Sequence, residues 1–469
     1  MKAPVATADI AIIGAGSGGL SVAAGAAQLG LSVVLFEKGE MGGDCLNYGC
    51  VPSKAFIAAA GAAHRARQSA LGVSTSGVHV DFAAVMAHVH RTIAAIAPVD
   101  SQERFEGLGV TVVREAARFV DARTVASASH TVRARKIVIA SGSRAAVPPV
   151  EGLDAVPFLT NETVFQLAAL PEKLIVLGGG PIGIELGQAF ARLGAAVTIV
   201  EAGAPLGRED PAAAAIVLEQ LRKDGVEIIA GRKVLRVESG PVLVLDGGER
   251  IAGSHLLVAA GRTAALDGLD LDKAGIERTG GGVKTDRALR TTNRRVYAVG
   301  DAAGRGQFTH LAGAHAGLVV RRAIFGLRVN ADALAVPRVT YADPEIAAIG
   351  LGEAEARRIH GDTVRVEVFP FAENDRAQAE GDTRGFGKLV TTRRGKVLGV
   401  TLVGRNAGDH IHVWSLALSA GLKLSKLTGM IAPYPTRGEI SKRLAGQWYA
   451  PALFSPMTRR LVAVLKRLA

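Results

Sequence analysis

Two glycine fingerprints, each set in the same order of elements, constrain this 469-residue chain more than anything else in it. The first follows Asp9-Ile10-Ala11-Ile12-Ile13, an apolar run that reads as a short buried strand. Gly14, Gly16 and Gly19 then hold the G-x-G-x-x-G spacing. The first glycine permits the tight turn, the second lets a pyrophosphate approach the backbone, and the third lets helix and strand pack closely. A helix to about Leu29, a strand over 31–36 and Glu37 at its end complete the unit, with the carboxylate placed for ribose hydroxyls. The second unit repeats the first: a strand over Lys173–Leu177, then Gly178, Gly180 and Gly183, a helix over 185–193, a strand over 196–200, and Glu201. A lone fingerprint says little. Strand, glycines, helix, strand and acid in order, twice over, predict two dinucleotide-binding α/β domains and two bound dinucleotides. Glu201 also bears on which nucleotide enters the second site. A carboxylate there bonds the 2′-hydroxyl of NAD and repels a 2′-phosphate, so NADH is expected over NADPH, with Arg208 the nearby cation that could turn to a phosphate instead.

The chain is long enough for two to four domains, and 48% apolar residues with 57 glycines describe a compact protein. Two cysteines exclude a disulfide-stapled secreted scaffold. The net charge of +12 comes from cations dispersed along most of the chain, so no nucleic-acid partner is expected. The start, Met1-Lys2-Ala3-Pro4, runs straight into a strand pattern and shows no signal peptide, and no apolar run reaches a membrane span without a charge or a glycine turn. A cytoplasmic protein with no metal site is expected.

Both cysteines lie in Gly42-Gly43-Asp44-Cys45-Leu46-Asn47-Tyr48-Gly49-Cys50-Val51-Pro52-Ser53-Lys54. On one helix they would sit about one and a half turns apart, near enough to bridge if the first turn bends. A helix N-terminus would stabilise a thiolate there. The residues alone leave open a redox-active disulfide or two unrelated buried thiols.

This stretch resembles the redox-disulfide motif of the class I pyridine nucleotide–disulfide oxidoreductases, the family of dihydrolipoamide dehydrogenase, glutathione reductase and mercuric reductase. It is most similar to the mercuric-reductase-like members, and the resemblance runs through nearly the whole chain. It implies a redox disulfide between Cys45 and Cys50, with Cys50 facing a flavin and Cys45 exchanging with substrate. It implies FAD in the first site, held by Gly14, Gly16, Gly19, Glu37, Gly43, Ser141, Gly142, Gly300 and Asp301, a nicotinamide nucleotide at Gly178, Gly180, Gly183 and Glu201, and further cofactor-binding positions at Gly261 and Arg262 in the turn that ends the second domain. Lys54 matches the lysine near the flavin, and Glu185 the glutamate paired with it. Asp301, in Gly300-Asp301 after the strand around 296–299, matches the aspartate that bonds the ribityl chain. Thr309-His310 opens the helix beneath the flavin ring, with His310 read as structural. Pro181 stands where some relatives carry an aromatic gate.

The implied fold is α/β: two Rossmann-like domains and a C-terminal α+β dimerisation domain. The FAD-binding domain is discontinuous (1–150 and 271–336), with the NAD(P)-binding domain (151–270) inserted into it. The dimerisation domain spans 337–455, and a basic tail 456–469. A homodimer with shared active sites follows. Local patterns add helices over 55–69 and 81 to about 105, antiparallel ribbon strands over 110–118, 125–129 and 132–134, and a buried strand over 136–140.

The chain departs from the family at Ile431-Ala432-Pro433-Tyr434-Pro435-Thr436-Arg437-Gly438-Glu439. Tyr434 stands where disulfide reductases carry His, beside a Glu matching Glu439. Tyrosine ionises near 10 against about 6.5 for histidine, so it is a poor base at neutral pH. Glu439 is expected to hold the Tyr434 hydroxyl or to cap the following helix. The extra C-terminal cysteine pair of mercuric reductases is missing, which points to inefficient Hg(II) reduction. In the tail, Met457, Leu461, Val464, Leu465 and Leu468 share a helical face, with Arg459, Arg460, Lys466 and Arg467 off it. Such a helix can lie on acidic lipid, but packing on the protein's own surface is the preferred expectation.

The predicted activity is transfer of electrons from a nicotinamide cofactor, through FAD and the Cys45–Cys50 pair, to a small oxidant: a disulfide, a metal ion or a quinone. The alternatives are dihydrolipoamide dehydrogenase, against which Tyr434 argues, and a membrane-peripheral electron donor acting through a protein partner.

Overall fold

The computed structural model describes residues 5–468; the first residues, Met1 to Pro4, and the last residue of the tail, Ala469, lie outside the described residues. The first sheet has parallel strands in the order Val110–Val113, Val33–Phe36, Val5–Ile13, Thr131–Ile139. The long last strand borders Thr124–Ala126 with its first half and Val296–Ala298 with its second. Its burial changes with its neighbours. Val132 and Ala134 alternate with exposed arginines, whereas Ile137, Val138 and Ile139 are all buried. One face suffices in the antiparallel half; the parallel half is covered on both faces and must be apolar throughout. Hence the two short strands expected over 132–134 and 136–140 are one. Val296–Ala298 returns from beyond the second domain to pair in parallel with Ile137–Ile139, so the first domain is built from two segments of chain.

Val110–Val113 corrects the antiparallel ribbon expected over 110–118. It pairs in parallel with Val33–Phe36 at the sheet edge, and the ribbon begins only at Arg118. An apolar run of this length reads the same in either direction; the helix Gln102–Gly107 before it carries the chain back to start a parallel strand. The single helix expected over 81–105 is also broken, into Phe82–Ile96, a 3₁₀ turn over Ala97–Asp100, and Gln102–Gly107. Pro98 lacks the N–H that would continue the helix, and the Ser101 side chain caps the next one. By length and composition alone the run Phe82–Gly107 could cross a membrane; here it packs through Phe82, Met86 and Val89.

The second domain holds a parallel sheet in the order Val226–Ala230, Ala196–Glu201, Lys173–Leu177, His255–Val258, with an antiparallel meander of Val234–Glu238, Val242–Leu245 and Arg250–Ala252. Its fingerprint helix runs from Pro181 to Leu193, four residues earlier than expected, because proline at the first helical position loses no hydrogen bond. Strands Ser143–Ala145 and Arg262–Ala264 pair where the chain passes between the two domains.

The third domain is a five-stranded antiparallel sheet, Arg338–Thr340, Glu345–Gly350, Val397–Gly404, Phe386–Thr392, Val364–Pro370, with Phe371, Trp414, Ile440 and Leu444 in its core. Helix Cys50–Arg67 ties the first domain to the second. Its Phe56 is fully buried among Phe82, Phe165 and Phe190, with ring centroids 4.7–6.3 Å away. That packing fixes the helix whose first residue is Cys50.

Candidate active site

The two cysteines do not share a helix. Gly43–Asn47 forms a short helix carrying Cys45, Tyr48 and Gly49 break it, and Cys50 opens the next. The chain reverses at Gly49, where an added Cβ would meet the Asp44 side chain and carbonyl at 2.9 and 3.0 Å. This reversal, rather than a bent first turn, brings the sulfurs together. Both are free thiols in this structure.

They are unequal. The Cys45 thiol donates to the Cys50 sulfur, and that bond pulls Cys50 down to about 6 against the effect of burial. The Thr309 hydroxyl, 3.3 Å from Cys50 Sγ, and the Lys54 ammonium add to it. The same bond, with burial, drives Cys45 far above the ordinary thiol range. At neutral pH the pair is one thiolate and one thiol. Thr309 is a partner that sequence reasoning placed only at a helix start.

Lys54 Nζ lies 2.8 Å from Glu185 Oε2. The other oxygen of this buried carboxylate accepts from the Tyr341 N–H at 2.8 Å, and the lysine ammonium sits 4.2 Å above the Tyr341 ring. All three domains thus meet at one cation. Tyr341 was missed as a site residue; no local pattern in the sequence marks it.

The two glycine turns divide their work as the motif requires. A Cβ on Gly14 would stand 2.3 Å from Ala140 O, and one on Gly19 1.9 Å from Gly14 O. On Gly178 and Gly183 the clashes would be 2.4 Å with Ala259 O and 2.0 Å with Gly178 O. Gly16 and Gly180 face nothing within 4 Å. The first and third glycines are demanded by the protein's own packing, and the second leaves open a cradle that suits a phosphate group. Gly43 packs across the first turn, where a Cβ would meet Gly16 Cα at 2.8 Å. Gly19→Ala is therefore expected to unfold the first domain. Gly16→Ala should hold its stability within about 0.5 kcal/mol yet lose bound flavin. Thermal melting and the flavin-to-protein absorbance ratio would check both.

Each acid closes its turn. Glu37 accepts from the N–H groups of Ala15 (2.6 Å) and Gly39 (2.7 Å), and Glu201 from those of Gly179 (2.7 Å) and Gly203 (2.8 Å). Each carboxylate is held by bonds to the turn it faces. Ser141 carries a buried hydroxyl with no partner, beside Gly14 at the end of the long strand, and Gly142 follows in the left-handed region. An orphaned buried hydroxyl and an open glycine cradle fit a bound dinucleotide at the first site. Asp301 accepts from Ser143 Oγ at 2.5 Å; burial raises its pKa. Ser143 Oγ accepts from Arg262 Nε at 2.8 Å, and Arg262 reaches Asp44 Oδ2 at 3.1 Å. Gly261 turns in the left-handed region just before it. A chain of polar contacts thus links the turn at Gly300-Asp301 to the cysteine loop. His315, also missed from the sequence, is buried, lowered to about 4 by that burial, and accepts from the Gly300 N–H through Nδ1 at 3.3 Å.

Tyr434 and Glu439 stand apart from this cluster. Tyr434 is 68% exposed, and its hydroxyl donates to Asp375 Oδ2 at 3.0 Å, which raises its pKa above the ordinary tyrosine value. Glu439 opens helix Glu439–Leu453 and pairs with Arg443 at 3.7 Å. Of the two roles expected of Glu439, holding the Tyr434 hydroxyl falls to Asp375 instead, and no side-chain cap bond forms at the Gly438 N-cap of its helix. His310 Nε2 bonds Pro337 O at 2.8 Å, as a structural histidine would. Arg208 is exposed, in the segment that follows Glu201. The tail helix Pro456–Leu468 has no buried residue, so the expected packing on the protein's own surface does not occur among the described residues.

The family model described as pyridine nucleotide-disulphide oxidoreductase matches residues 8–316, and that of its dimerisation domain matches 336–445. A mercuric reductase from Streptomyces lividans is 35% identical over 461 residues, covering 94% of this chain and 96% of its own. A dihydrolipoyl dehydrogenase from Geobacillus stearothermophilus is 36% identical over 452 residues, covering 92% and 94%. Among solved structures, the Cu(II) complex of the HOCl-induced flavoprotein disulfide reductase RclA from Escherichia coli superposes with a TM-score of 0.83 at 28% identity, over 93% of this chain and 99% of that one. LpdA from Mycobacterium tuberculosis gives 0.85 at 26%, over 94% and 99%.

Proposed function

Because the chain belongs to the pyridine nucleotide–disulphide oxidoreductase family, we propose that it draws electrons from NADH and delivers them through the Cys45–Cys50 pair to a small thiophilic oxidant. Family membership makes it an enzyme that uses FAD and a pyridine nucleotide, and its dimerisation domain indicates a homodimer. A flavin held at Gly14, Gly16, Gly19, Glu37, Ser141 and Asp301 would supply two-electron chemistry between the nicotinamide and the disulfide.

The observation that carries the reading is the unequal cysteine pair. Cys50, with Thr309 and Lys54 beside it, holds the negative charge on the flavin side. Cys45 keeps its proton and is the thiol that meets substrate. Two electrons and one proton convert the disulfide to this thiolate–thiol pair; the reverse step hands the electron pair to the acceptor and releases that proton. Glu185 neutralises Lys54 and fixes its height over Tyr341. Glu201 supports NADH, since its charge opposes a 2′-phosphate.

The dimerisation domain would bring Tyr434 and Glu439 to the cysteine pair of the other chain. A tyrosine held above its usual pKa by Asp375 donates a hydrogen bond but takes no proton at neutral pH. Acceptors that need a base to shuttle the thiol proton, such as lipoamide or glutathione disulfide, should turn over slowly. Thiophilic metal ions other than Hg(II), for which the C-terminal cysteine pair is missing here, come first as candidate acceptors. Mercuric reductases are among the relatives, and the RclA structure is a Cu(II) complex.

The test is anaerobic titration of the purified holoenzyme with NADH and, separately, NADPH. The expected result is a long-wavelength thiolate–flavin absorption band at the two-electron stage, with kcat/KM at least roughly tenfold higher for NADH. A flavin that bleaches with no such band, or one reduced faster by NADPH, would overturn the cysteine role or the nucleotide preference respectively.

A further inference from the structure

Among the described residues, the last helix presents an apolar face that its own chain does not cover. Met457, Leu461, Val462, Val464, Leu465 and Leu468 are each more than half exposed, and helix Pro456–Leu468 contributes no residue to any core cluster. Spaced at ~100° per residue, these six fill one arc of about 160°. Arg459, Arg460, Lys466 and Arg467 fill the opposite arc. Leu453 and Phe454, at the end of the preceding helix, are also more than half exposed and extend the apolar surface around the corner at Pro456.

Charge selects the occupant. No Asp or Glu follows Glu439, whereas Lys442, Arg443 and the four tail cations do. The tail of a second copy carries the same cations and no carboxylate, so two tails facing each other would meet with like charge. A surface combining apolar depth with dense negative charge fits both arcs at once: an apolar stripe at acyl depth, with cations among anionic headgroups. We propose that Pro456–Leu468 is a membrane-surface helix that anchors the enzyme to anionic bilayers. The helix is short, so the binding is peripheral and salt-sensitive rather than integral. The inference is independent of the redox reading.

The test is co-sedimentation of the full-length holoenzyme with phosphatidylcholine vesicles, with and without about 30% phosphatidylglycerol. At about 0.1 M salt the enzyme should pellet with the anionic vesicles alone and return to solution at about 0.5 M. Leu461→Glu with Leu465→Glu, and separately Arg459→Gln with Arg460→Gln, should each lower the partition coefficient roughly tenfold or more, with NADH-driven reduction of the holoenzyme unchanged. Three results would overturn the proposal. Enzyme left in the supernatant with anionic vesicles is one, and equal binding to neutral vesicles is another. The third is a smaller sedimenting mass for the Leu461→Glu, Leu465→Glu variant without vesicles, which would assign the face to a second copy.

Discussion

Cys50→Ser is expected to cut turnover with thiol-dependent acceptors by roughly 10³-fold or more, while NADH continues to reduce the bound flavin. The substitution removes one half of the disulfide, and with it the thiolate that the Cys45 thiol, the Thr309 hydroxyl and the Lys54 ammonium converge on. The same convergence gives a pH signature in the dithiol form. With Cys50 at about 6, about 90% of it is thiolate at pH 7, against a few per cent for an ordinary cysteine. Alkylation by iodoacetamide should therefore begin at Cys50, with a rate that rises through a midpoint near 6 and levels off above it. Thr309→Val deletes one bond to the charged sulfur and should move that midpoint up by roughly one unit. Peptide mapping after timed alkylation would read both. A midpoint near the ordinary cysteine value, or undiminished turnover in Cys50→Ser, would mean that electrons leave by another route.

The second large effect concerns stability. Glu345 is half-buried on the first long strand of the third domain, where it accepts from the Gly408 N–H at 2.8 Å. Burial first, and then the neighbouring charges of Asp409, Asp343 and Glu185, raise its pKa to about 7 against the Gly408 bond. In the unfolded chain the carboxyl ionises near 4.5; in the folded chain it keeps its proton to about 7. Between those values the folded state binds more protons than the unfolded state, so stability falls as pH rises. The loss is about 3 kcal/mol in all, complete just above pH 7. Glu345→Gln keeps the shape and the Gly408 bond but cannot ionise. It should match the parent near pH 4.5 and exceed it by about 3 kcal/mol at pH 8. Urea unfolding followed at both pH values would check this; an equal difference at both would refute the linkage.

What could be read along the chain was whatever a few consecutive residues decide. The two nucleotide turns were legible because strand, glycines, helix and acid lie within one short unit, and the clash distances explain why only glycine serves at Gly14, Gly19, Gly178 and Gly183. The pairing of Lys54 with Glu185 was legible only through resemblance, since these residues lie on separate helices in separate domains. Direction was lost where it is not local. Val110–Val113 and the ribbon beyond it are both short apolar runs, and only the sheet edge left open beside Val33–Phe36 makes the first of them parallel.

The sequence by itself determined the fold class, the two cradles, the acids that close them and the presence of one cysteine pair. Each rests on local sterics, on hydrophobic periodicity, or on a count. Tertiary structure alone decided that the sulfurs meet across a break between two helices, that Thr309 sits on the Cys50 thiolate, and that Asp375 rather than Glu439 takes the Tyr434 hydroxyl. It also decided that the tail's apolar face stays uncovered. These outcomes depend on which distant surfaces arrive together, and on the field and burial they create there, which no stretch of sequence carries alone.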